Sequence, residues 1–145
     1  MLGEALIDAH GIDGIAAGLG LLGVVTVFEE TKTVRHRQAQ FHQTTGAWAA
    51  LSGVQVTGYE IHHGQTALRA DLADGTQAVM PHQLAWQNAT GNVLGIYLHG
   101  MFEDPAVLQA LFGAATPTLG SVFDGLADYI QAHLDRGVLD SLIVQ

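Results

Sequence analysis

The chain has 145 residues, 48% of them apolar, with a mean hydropathy of +0.25. That is enough for one domain with its own core, and too apolar for a disordered polypeptide. Five Lys and Arg against fourteen Asp and Glu give a formal charge of −9, which leaves too few cations to displace counterions from nucleic acid. The absence of cysteine excludes disulfides, thiolate metal sites and a cysteine nucleophile within these residues, and it fits a cytoplasmic protein.

In chain order, the opening "MLGEALIDAH" has no basic flank or cleavage site of a signal peptide, and no apolar run reaches the roughly 18 residues of a membrane span. Leu2, Ala5, Leu6 and Ala9 recur at helical spacing, predicting a short, uncapped helix over residues 2–9. A glycine-rich connection follows. "VVTVFEE" and "TVRHRQAQF" have the β-branched content of strands, and Lys32, Arg35 and Arg37 read as the solvated charges of an edge strand. "TTGAWAALSG" reads as a loop, and "VQVTGYEIHHG" as a strand bent at Gly58. Asp74-Gly75 predicts a hairpin turn, and Thr90-Gly91-Asn92 a second turn between two further strands, the latter closing on His99. Asp104-Pro105 predicts a helix start, with Val107, Leu108 and Leu111 as its apolar face. Ser121-x-x-Asp124 resembles a capping box ahead of Phe123, Leu126, Ile130 and Leu134, with Gly137 after Arg136 as the stop.

Gly18-x-Gly20-x-x-Gly23 spells a dinucleotide fingerprint, but a loop precedes it and a β-branched strand follows, so a helix N-terminus for pyrophosphate is missing. The eight histidines show no paired helical spacing of a metal site, and His62 and His63, being adjacent, point to opposite faces of a strand. Asn88-Ala-Thr90 matches a glycosylation acceptor, which carries no meaning without a signal peptide. "GYEIHHG" and "GIYLHGMFED" each end a strand in histidine and glycine. An imidazole at the carboxyl edge of a sheet has the right pKa range for proton transfer, and the following glycine leaves room for a substrate.

"GLGLLGVVTVFEETKTVR", "GVQVTGYEIHHG" and "GNVLGIYLHGMFEDP" resemble, in the same order, three blocks of the class I glutamine amidotransferase domain of the cobyric acid synthase family. Two related families, the cobyrinic acid a,c-diamide synthases and the peptidoglycan-amidating glutaminases, resemble these blocks less well. The resemblance implies an α/β fold, an incomplete flavodoxin-like domain with a strand-rich middle and C-terminal helices, in which residues 1–145 form its C-terminal portion. It implies that His99 is the general base that activates a cysteine, and that Tyr59, Glu60 and His62 line the glutamine pocket. It implies no metal site in this chain and no cofactor here, ATP and magnesium belonging to a synthetase domain elsewhere. Met1-Leu2-Gly3 resembles the end of the family's "CGGYQMLG"-like block, which places the cysteine ahead of these residues. Class I enzymes usually carry a glutamate two residues after the histidine. Met101 stands there, which leaves Glu103 and Glu60 as candidates for the third member. The intact enzyme would amidate corrinoid carboxylates with glutamine-derived ammonia and ATP, and this chain alone is expected to be inactive. The competing reading is a non-catalytic, homo-oligomeric module that kept the scaffold.

Overall fold

The computed structural model describes residues 1–11, 14–69, 71, 75–113, 117–134 and 137–138. Eight strands form two sheets, and two helices close the described chain. It is a mixed α/β arrangement, strand-rich in the middle and helical at the end.

The opening segment is a strand, not the predicted helix. β1 (Ala5–Asp8) pairs in parallel with β3 (Val24–Gln40), Ala5 opposite Val25 and Asp8 opposite Phe28. Four apolar positions over eight residues are too few to fix a period, and a helix that short is marginal without tertiary support. The parallel ladder supplies hydrogen bonds that no local pattern announces. β2 (Ala16–Ala17) lies antiparallel on the other side of β1. The glycine-rich connection is stitched to the first residues: Gly18 N–H donates to the Glu4 carbonyl, Gly20 N–H to Gly3 and Leu21 N–H to Leu2. A Cβ on Gly18 would lie 1.9 Å from the Gly3 carbonyl oxygen, so only glycine allows this approach. These amides are occupied and β3 follows them, so the fingerprint spelling makes no phosphate cradle.

The two strands expected between residues 24 and 41 are one, the 17-residue β3. It is interior in the sheet rather than an edge, lying between β1 and β4 (Gln55–Leu68) in the order β2-β1-β3-β4-β8. Its register with β4 shifts between Phe28 and Thr33, then runs evenly through His36 opposite Tyr59 and Arg37 opposite Gly58. β4 runs unbroken through Gly58, with no shift there in its register against β3. Within the expected loop, Gly46–Leu51 forms a 3₁₀ helix whose Leu51 is fully buried.

Asp74 of the predicted hairpin turn lies outside the described residues. The strands flanking it, β4 and β5 (Gln77–Ala78), belong to different sheets. β5, β6 (Ala85–Gln87) and β7 (Leu94–Ile96) form the second, antiparallel sheet, and the Thr90-Gly91-Asn92 turn joins β6 to β7 as expected. The apolar run ending at His99 does not stay in one sheet. After β7 the chain breaks at Tyr97, whose N–H donates to the Leu84 carbonyl, and β8 (Leu98–His99) joins β4 in the first sheet.

The main core gathers Phe41, Leu51, Val56, Leu84, Leu98, Met101 and Val107 where the sheets meet helix α1 (Pro105–Phe112). α1 starts as predicted: Asp104 Oδ1 accepts the Ala106 N–H at 2.9 Å, Pro105 occupies the first turn, and Gly113 at φ +67° ends it. Helix α2 (Leu119–His133) starts earlier than predicted, because Thr118, not Ser121, is its cap and accepts the Ser121 N–H at 3.2 Å. It ends at His133, ahead of the predicted Arg136-Gly137 stop, of which Arg136 lies outside the described residues.

Candidate active site

β8 is short, and it delivers one side chain to the open side of the first sheet. Tyr59 stands opposite His99, and Glu60 opposite Leu98. Side chains alternate across a strand. His36, Tyr59 and His99 therefore share one face, while Arg37, Glu60, His62 and Leu98 share the other. On the first face His36 meets the edge of Tyr59 with ring centroids 5.0 Å apart. Gly100, at φ +84°, turns the chain sharply out of β8 into the 3₁₀ turn Met101–Glu103. The result is an open cleft of about 400 Å³ whose walls include His36, Tyr59, His99, Glu103 and Asp104. Asp104 joins its two sides: beyond capping α1, its Oδ2 accepts the Thr57 N–H at 3.0 Å.

Of the four residues singled out from the sequence, His99 and Tyr59 meet in this cleft. Glu60 and His62 lie together behind it, on the covered face. Glu60 is 7% exposed and grips Arg37 Nε at 2.7 Å and His62 Nε2 at 3.0 Å. Burial pushes the Glu60 pKa up, but hydrogen bonds and charge from Arg37 and His62 together outweigh it and hold the carboxyl below its usual 4.5. Its contribution to stability is therefore complete above the unfolded value and is lost as the pH falls through the lower, folded one. Glu60→Gln should flatten the acid side of the stability profile and cost about 1–3 kcal/mol near neutrality, since Arg37 is exposed enough to rehydrate in part. Urea unfolding between pH 3 and 7 reads both effects, and an unchanged acid limb would contradict the assignment.

No carboxylate orients His99 among the described contacts. Met101, at the position of the usual glutamate, is 2% exposed and buried with Val107 in the main core, where a charge would be costly. Glu103 Oε2 accepts the Leu119 N–H at 2.8 Å, and Glu60 is held on the other face. The polar neighbour of the imidazole is the Ile61 carbonyl, 3.3 Å from Nε2. Three contributors escaped the sequence reading: Arg37, read as a solvated charge and found on Glu60; His36, on Tyr59; and the Ile61 carbonyl. All three follow from the β3–β4–β8 register, which composition does not encode. Among the described residues no group of three or more His, Cys, Asp or Glu could share a metal ion. No described helix is long and apolar enough to cross a membrane.

His99 thus closes a strand and faces an open cleft. Residues 1–107 match the CobB/CobQ-like glutamine amidotransferase domain, and the chain belongs to that family. Its relatives include the cobyric acid synthases of Polaromonas naphthalenivorans, 72% identical over 146 residues, and of Variovorax paradoxus, 68% over 143, each match covering 99% of this chain. That of Acidovorax ebreus is 60% identical over 148 residues and covers all of it. The chain spans about 30% of the length of these relatives.

Proposed function

We propose that these residues supply the histidine side of a glutamine-hydrolysing site in a cobyric acid synthase-type amidotransferase, acting in the cytoplasm. The observation that carries it is His99: exposed, last in β8, beside Tyr59 and open to the cleft. The nucleophile is a cysteine from outside the 145 residues, which contain none. His99 takes the thiol proton as sulfur attacks the side-chain amide carbon of glutamine, forming the C–S bond. It returns that proton to the leaving nitrogen as the C–N bond breaks, which releases ammonia. Water then attacks the thioester while His99 accepts its proton, the C–S bond breaks to release glutamate, and His99 returns the proton to the sulfur. Tyr59 walls the glutamine pocket. Glu60 and His62 support it from behind, Glu60 tying β4 to Arg37 of β3.

The ammonia would amidate a corrinoid carboxylate activated by ATP and magnesium. The glycine-rich segment offers that nucleotide no cradle, because the amides of residues 18–22 bond to residues 1–4. In this reading, ATP chemistry belongs to polypeptide beyond this stretch.

The test is a graft and a control. Placed in the Polaromonas naphthalenivorans cobyric acid synthase in exchange for the matching stretch, these residues should support glutamine-driven amidation within about tenfold of that enzyme's own rate. The free 145-residue chain should release no ammonia from glutamine above background, because binding alone does not replace covalent catalysis. Ammonia release by the free chain, or a graft that uses ammonium salts but not glutamine, would overturn the proposal.

A further inference from the structure

Helix α2 presents an apolar stripe that the described residues do not cover. Leu119, Val122, Phe123, Leu126 and Tyr129 are each between 51% and 61% exposed. Their spacing of three and four residues makes the stripe continuous along one side of the helix. A contiguous apolar surface of this kind marks an interface. The helix is rooted at the cleft, since Leu119 N–H donates to Glu103 Oε2 and Glu103 lines the His99 cleft.

What covers the stripe follows from where the matches run: α2 lies beyond residue 107, where the amidotransferase-domain match ends, yet inside the 99% of the chain that matches cobyric acid synthases at 72, 70 and 68% identity. The helix is thus shared with the cobyric acid synthases but lies outside the matched domain. Those proteins have most of their length outside the matched stretch, about 30% of them being matched.

We infer that the α2 stripe docks into an apolar groove on the part of a cobyric acid synthase polypeptide outside the matched stretch. This stands on the family match and does not depend on His99 acting as a base.

Amide hydrogen exchange over residues 119–133 tests it, comparing the free 145-residue chain with the graft. In the free chain a 15-residue helix without tertiary cover should open readily. In the graft its amides should exchange at least about tenfold more slowly, and Phe123→Asp should abolish that difference. Equal exchange in both settings would overturn the inference. Protection in the free chain that rises with concentration, with a dimer in sedimentation, would overturn it in favour of a second copy. Should the graft not fold, the same helix in the intact Polaromonas naphthalenivorans enzyme gives the readout: protection supports the inference and its absence overturns it.

Discussion

Replacing His99 by alanine in the graft is expected to lower glutamine-driven amidation by about 10²–10⁴-fold while leaving ammonia-driven amidation unchanged. The range follows from what the proposed role asks of the imidazole: it takes a proton from the thiol and gives it to the leaving nitrogen, then takes one from water and gives it to the departing sulfur. The split follows from geometry. His99 is exposed and absent from both buried clusters, and its described side-chain contact is one weak hydrogen bond to the Ile61 carbonyl. Its removal should therefore shift stability by no more than about 0.5 kcal/mol, as for other surface positions. A parallel fall in both activities would mean that His99 holds the fold rather than moves protons. An unchanged glutamine-driven rate would remove it from the mechanism.

Features written in local chemistry were legible in the sequence. Asp104-Pro105 starts α1 because a carboxylate that accepts an N–H, and a proline that needs none, both suit a first turn. Thr90-Gly91-Asn92 turns the chain because Gly91 takes a positive φ, and Asn88 Oδ1 accepts from Asn92 and Val93. Long-range pairings were not legible. β1 is a strand because β3 offers it a parallel edge, and residues 94–99 divide between two sheets although every side chain from Ile96 to Leu98 is apolar. The site lies between these cases. His99 stands out as an imidazole closing an apolar run, and the resemblance supplies its role. The separation of Tyr59 from Glu60 was implicit in strand alternation, the rule that places His62 and His63 on opposite faces. The Arg37–Glu60 pair was not, because it needs the register of β3 against β4.

That register also makes Gly58 the position where sequence, packing and site meet most tightly. A Cβ there would lie 2.6 Å from the His99 carbonyl oxygen and 3.4 Å from Leu98 Cβ. The first is closer than any real contact, and the obstacle is backbone rather than a side chain that could swing away. Gly58 has no positive φ, so backbone strain is not the cause and the clash itself decides the outcome. Gly58→Ala should push β8 off β4, losing the Tyr59–His99 register, and destabilise the fold by about 1–3 kcal/mol. Because β8 carries His99, the same substitution in the graft should reduce glutamine-driven amidation well beyond what the stability loss explains, with ammonia-driven amidation retained. Gly125→Ala is the matched contrast. Its Cβ would meet nothing within 4 Å and it sits inside α2, so there alanine should stabilise the helix by about 0.5–1 kcal/mol. Thermal unfolding of the two variants should move in opposite directions. A Gly58→Ala protein with unchanged melting and unchanged glutamine use would show that β8 is not held against β4, and with it the placement of His99 would fall.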